Sequence, residues 1–215
     1  MSDRPVSYAE RPSMRGVLHR WALIPFVLAG VWLVLAAAPA ARWPTLVYAL
    51  SVPACMGTSA LYHRVHWKPP WYARMRKLDH AMIFVLIVGT WTPLCLVACR
   101  SRDVGTLFAT LFVMAGIGIA ITLFWGGAPK WLRALIYLAV SWVGVLIVPH
   151  LYATMGALGV GLLAAGGVLY SVGALAYALQ WPNPSPRVFG YHEIFHVFVI
   201  LAAATHFALV ATAVV

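Results

Sequence analysis

Apolar residues in this chain come in long blocks, and Lys and Arg fall between the blocks or at their edges. The blocks run over residues 21–38, 44–62, 79–98, 104–125, 131–150, 157–179 and 191–214. A hydrocarbon core about 30 Å thick is crossed by about 20 predominantly apolar residues in helical form. Each block therefore has the length and character of one crossing. Backbone N–H and C=O groups find no water inside lipid, so only helices and closed barrels can span it. The blocks are too long for barrel strands and lack their period-two alternation. The pattern predicts an all-α polytopic membrane protein: a seven-transmembrane-helix bundle over 21–215 behind a cytoplasmic N-terminal tail, 1–20.

Composition carries the same message, since 63% of the 215 residues are hydrophobic and only 9% are charged. No water-soluble fold hides that much apolar surface. Basic residues are distributed unevenly over the connections. Arg4, Arg11, Arg15 and Arg20 lie in the tail, Arg64, Lys68, Arg74, Arg76 and Lys77 in the second connection, Lys130 and Arg133 in the fourth, and Arg187 in the sixth. The opposite set of connections holds only Arg42, Arg100 and Arg102. Lys and Arg accumulate on the cytoplasmic side, so the N-terminus is predicted inside and the C-terminus outside.

Because these residues flank spans, the net charge of +10 points to the bilayer and its anionic lipid headgroups as partners, not to nucleic acid. The run from Arg15 through Ala41 resembles a cleavable leader, but its apolar stretch exceeds the usual 7 to 15 or so residues, so it is read as a retained span. Cys55, Cys95 and Cys99 all fall inside blocks and are expected to pack as small apolar groups without disulfides. The Pro-rich stretch 182–186 separates the last two blocks.

The chemistry lies in ionisable residues that the apolar blocks should have excluded, because such groups are costly near the bilayer interior and need a partner or a task. Ser59 and His63 end the second block one helical turn apart; Asp79 and His80 open the third; His192 and His196 open the seventh, again one turn apart on one face. With the predicted orientation, all of these fall at similar depth near the cytoplasmic face. Three imidazoles from His63, His192 and His196 form a donor set suited to zinc, with a fourth position left for water. Asp79 would hold or deprotonate that water, and Ser59 would position it or an outer group.

Ser59-x-x-x-His63, the segment Leu78-Asp79-His80-Ala81-Met82-Ile83-Phe84 through Gly89-Thr90-Trp91-Thr92-Pro93, and His192-x-x-x-His196 within 190–198 resemble the hemolysin III family. That family is the bacterial branch of the superfamily of adiponectin and progestin-type receptors and alkaline ceramidases. The resemblance covers nearly the whole chain. It implies seven helices in a bacterial inner membrane and zinc held by His63, His192 and His196, with Asp79 reaching the metal through water. Three functions are compatible with it: zinc-dependent hydrolysis of a lipid amide or ester, a non-enzymatic membrane sensor or homeostasis protein with structural zinc, and a pore-forming cytolysin. The last is disfavoured by the scarcity of polar residues to line a pore.

Other polar residues receive plainer expectations. His192-Glu193-x-x-His196 also fits the short zinc-protease pattern, but nothing downstream supplies a known third-ligand spacing, so Glu193 is expected at the interface, facing the loop. His80 points away from Asp79 and should bond a neighbouring helix. His206, about 15 Å deeper than His196 along the helix, should make a buried hydrogen bond or face a polar cavity. His19, His66 and His150 are placed near the interfaces. Gly116, Gly118, Gly156, Gly159, Gly166 and Gly167 are expected to let helices approach closely, Pro93 to bend the third helix, and Trp71, Trp125, Trp131 and Trp181 to sit at the interfaces.

Overall fold

The structure, a computed structural model, describes residues 12–125 and 129–215. Arg4 and Arg11 of the tail lie outside the described residues. The rest is helical: α1 Val17–Ala36, α2 Arg42–Arg64, α3 Pro69–Pro93, α4 Arg102–Phe124, α5 Lys130–Trp142, α6 Val148–Leu179 and α7 Tyr191–Val214. Among the described residues, six helical stretches are long and apolar enough to cross a membrane. The protein is an all-α polytopic membrane protein.

Local chemistry sets the helix limits. Ser101 caps α4 by accepting the Val104 N–H at 3.2 Å, and Asp103 stands in the first turn where the helix dipole favours an anion. The opposite end of α4 is capped by the Lys77 ammonium, which donates to the Leu123 carbonyl. Prolines open α3, where their missing N–H costs nothing. That helix begins at Pro69, well before its apolar block, because the segment bearing Arg74, Arg76 and Lys77 continues the same helix outside the hydrophobic stretch. Its other end departs from α-geometry where a bend was expected: beyond Pro93 the backbone forms a π-helical turn over Leu94–Ala98, closed by the Cys99 N–H bonding Leu94 C=O at 2.9 Å.

One stretch, Trp131–Leu179, runs to 49 residues. A straight helix of that length would extend about 73 Å, more than twice the hydrocarbon thickness. The run is interrupted by a 3-10 segment at Val143–Ile147 and by a kink inside α6 at Gly156, with φ 62° and ψ −158°. Only glycine adopts that backbone readily. Gly156 was expected to serve close packing, but a Cβ there would meet no neighbour within 4 Å, so its value is conformational.

Consecutive helices pack side by side, and α7 closes the bundle by contacting α6, α1, α2 and α3. Within their apolar windows α2 and α3 are 50% and 56% buried, against 22% for α1 and α4, so α2 and α3 are central and α1 and α4 peripheral. Trp21, Leu28, Leu35, Phe112 and Ile117 project outward from the peripheral helices, the belt that lipid covers. Lipid removes the hydrophobic drive between helices, so close packing must hold them together. A Cβ on Gly118 would strike the Phe84 ring, and one on Gly144 the Trp91 ring. Gly166 abuts His206 in the same way, whereas Gly116 is open. The three cysteines are buried and free. Trp71, Trp125, Trp131 and Trp181 are all exposed.

Candidate metal centre

The second, third and seventh helices deliver their ionisable residues to one end of the bundle. His63 stands in the last turn of α2, and Ser59 one turn before it; both are buried. His192 and His196 occupy the first two turns of α7. The three imidazoles converge, each offering a ring nitrogen within 4.8 Å of the other two. Ring centroids lie 4.5 Å apart for His192 and His196, 4.9 Å for His63 and His192, and 5.5 Å for His63 and His196. This buried group could hold a metal ion.

The donor geometry provides a test of fit. Two nitrogens each about 2.05 Å from a tetrahedral ion are about 3.3 Å apart. The Nε2 atoms of His63 and His192 are 3.2 Å apart. Asp79 completes the group from α3: its Oδ2 is 4.0 Å from His63 Nε2, too long for a direct hydrogen bond. The Ser59 hydroxyl neighbours the Asp79 carboxylate. Aromatic rings wall the cluster, with Tyr62 4.5 Å from His63 and Tyr177 5.6 Å from His192 between centroids.

Beneath the cluster a cavity of about 190 Å³ runs into the bundle. His19, Ser59, Asp79, His192 and His196 line one part of it, and His206 lies on its wall as well. His80, Thr90, Ser141 and Ser171 border it too, but its surface is overwhelmingly apolar and aromatic, the usual character of a site for a small apolar ligand.

Two expectations about single residues are overturned. His19, assigned to the interface, is buried at 3% exposure and lies flat on His196, with centroids 3.9 Å apart and planes 10° from parallel. The first helix therefore enters the site alongside the other three. Glu193, expected to face the loop, is 0% exposed. Its carboxylate accepts the Arg15 guanidinium at 2.5 Å and the Gly190 N–H at 2.8 Å. Glu193 points inward because that pair fastens the segment before α1 to the start of α7. Backbone bonds from Ser13 N–H to Arg187 C=O and from Met14 N–H to Val188 C=O, at 3.0 and 3.2 Å, extend the same seam. The tail thus becomes part of the site from Arg15 onward. At Gly16 the backbone has φ 75°, and a Cβ there would come within 2.6 Å of the His63 Cβ, so only glycine brings the chain this close to the cluster.

The remaining histidines behave more simply. His206 Nε2–H donates to the Leu163 carbonyl at 3.3 Å, the buried bond expected of it, and the residue also borders the cavity. At His80 it is the backbone carbonyl, not the imidazole, that accepts the Tyr137 hydroxyl at 3.2 Å, tying α3 to α5. His66 is exposed. The signal for His19 was available: α1 starts at the same predicted face as α7, so the depth argument that united the other residues applies equally to it.

The sequence profile described as haemolysin-III related matches residues 7–207. Hemolysin-3 of Bacillus cereus is 32% identical over 163 residues, which cover 75% of this chain and 70% of that protein. The Bacillus subtilis (strain 168) hemolysin-3 homolog is 33% identical over 130 residues, 60% of this chain and 58% of its own length. A protein of Oryza sativa subsp. japonica described as heptahelical transmembrane protein ADIPOR2 is 28% identical over 197 residues, covering 79% of this chain and 81% of that protein.

Proposed function

Starting from the premise that the chain belongs to the haemolysin-III-related family, we propose that it is a seven-span membrane hydrolase. It would carry zinc on His63, His192 and His196 and cleave an amide or ester bond in a lipid. The single observation that carries this reading is that two of the three clustered histidines, His192 and His196, line one apolar cavity inside the bundle together with Asp79 and Ser59. A structural metal needs no such cavity; a lipid substrate does. The seventh span follows from dividing Trp131–Leu179 at the Gly156 kink, and it agrees with the heptahelical description of the rice relative. The basic connections then gather at the site end, which supports the reading that this end and the N-terminus face the cytoplasm across an inner membrane.

Bound zinc supplies a Lewis acid that polarises a carbonyl and acidifies water at neutral pH. The chain's own residues do the rest. The apolar walls hold the acyl chain and exclude bulk water from the reacting bond. Asp79 accepts the proton of the attacking water and returns it to the departing amine or alcohol, so no net proton is consumed at the carboxylate. Ser59 orients that carboxylate from the neighbouring helix. Access from the bilayer falls at the end of α5 and the 3-10 segment after it, where Trp142 and Val145 border the cavity and yet are 44% and 46% exposed on the outer surface.

The test compares zinc content and lipid-amide or lipid-ester turnover of detergent-purified wild type with Asp79→Asn and His63→Ala. Wild type should carry about one zinc per chain. Asp79→Asn should keep it while losing turnover by about 10²-fold or more, the scale of a general-base contribution; His63→Ala should lose both. Zinc retained with no turnover of any lipid amide or ester by wild type would sink the hydrolase reading and leave a structural metal.

A further inference from the structure

The family relationship and the three-histidine cluster leave His19 without a task, although it is buried more deeply than the ligand candidate His63. We propose that His19 is a positioning residue of the metal centre, which sets the ring plane of His196 by stacking on it and thereby sets the direction of that ligand's lone pair. The inference rests on the metal-centre reading above.

Three observations carry it. The stack is close and nearly parallel, 3.9 Å between centroids and 10° between planes, whereas the rings of the cluster meet one another at steep angles. Both His19 ring nitrogens are buried and have no hydrogen-bond partner among the described residues, so the ring face, not a polar edge, is its specific contact. Finally, the backbone carrying His19 is held in place from both sides. Arg15 is fastened to Glu193, which lies between the two ligand positions of α7, and Gly16 rests against His63.

The same geometry separates this role from that of a fourth ligand. An imidazole binds a metal through a lone pair lying in its ring plane. Two rings stacked in nearly parallel planes cannot both direct such lone pairs at one ion about 2.0–2.1 Å from each, because an ion in one plane lies well outside the other. His19 therefore supports the ligand His196 without replacing it. The usual support for a metal-bound histidine is a hydrogen bond to its second nitrogen; here a ring face serves the same end. The support comes from α1, so the segment from Arg15 to His19 makes the first helix a determinant of metal affinity.

The experiment measures zinc affinity of the full-length protein in micelles by competition with a chromophoric chelator, and records the visible spectrum of the cobalt(II)-substituted form. The variants are His19→Phe, which keeps an aromatic face, His19→Ala, which removes it, and His196→Ala as the ligand control. His19→Phe should bind zinc within about threefold of wild type with an unchanged cobalt spectrum. His19→Ala should bind about 10- to 100-fold more weakly, the range for loss of a ligand's support, with metal-free melting close to that of metal-free wild type. Equal affinity for His19→Ala and wild type would overturn the proposal. So would a His19→Phe protein as weak as His196→Ala with an altered cobalt spectrum, since His19 would then be a ligand. A His19→Ala loss matched by an equal loss of metal-free stability would reduce the residue to general packing. Failure of wild type to bind any metal would overturn the metal-centre reading itself, a result distinct from the others.

Discussion

Glu193 and Arg15 illustrate how burial decides the weight of an ion pair. The glutamate side chain is wholly buried, while the arginine keeps 18% exposure. Removing one partner of a buried pair strands the other, at about 3–5 kcal/mol when the survivor stays dry. Arg15→Ala strands the buried carboxylate, so it should destabilise by roughly that amount. Glu193→Ala leaves a guanidinium that can turn towards water, so its cost should be lower, about 2 kcal/mol. Thermal or denaturant unfolding in micelles reads the difference; equal losses would mean that the carboxylate is not buried as described. Since the pair grips the helix that bears His192 and His196, Arg15→Ala should also weaken metal binding.

Among the elements, α6 depends most on a single backbone conformation. Gly156 has a φ of 62° and space around it, so Gly156→Ala tests strain alone and should cost about 1–3 kcal/mol. Gly116 is equally open but lies within regular α4. Gly116→Ala should therefore be neutral or stabilise by up to about 1 kcal/mol. A melting comparison that ranks the two substitutions the other way would refute the kink as a required feature. The distinction was invisible in the sequence, where both glycines sit in apolar surroundings and were expected to serve helix packing.

At the scale of the whole molecule, the closing contacts are between the first and last helices. The Ala38 N–H bonds the Val214 carbonyl at 3.1 Å at one end, and His19 stacks on His196 at the other. The site therefore belongs to the closed bundle and not to any pair of neighbouring helices. The proposed division of Trp131–Leu179 into two crossings makes the total odd, and an odd total puts the termini on opposite sides. Reporter fusions or labelling of single introduced cysteines should find residue 13 on the cytoplasmic face and residue 215 on the other. Both on the same side would mean that Trp131–Leu179 does not divide into two crossings.

The sequence by itself determined that the chain is helical and crosses a bilayer several times, because the lack of water in lipid leaves long apolar blocks no other form. It also singled out three histidines that the fold brings together, His63, His192 and His196: the predicted orientation puts them at one depth with Asp79, and one-turn spacing aligns His192 with His196. Depth does not specify the angle around a helix axis or which helix is its neighbour. For that reason His19 passed as an interfacial residue and Glu193 as a loop-facing one, although both lie in the site. Only the closure of the bundle, which brings α1 against α7, decided that the tail becomes a brace for the cluster and that an apolar cavity opens beneath it. Both depend on contacts between residues far apart in the chain, which no local pattern encodes.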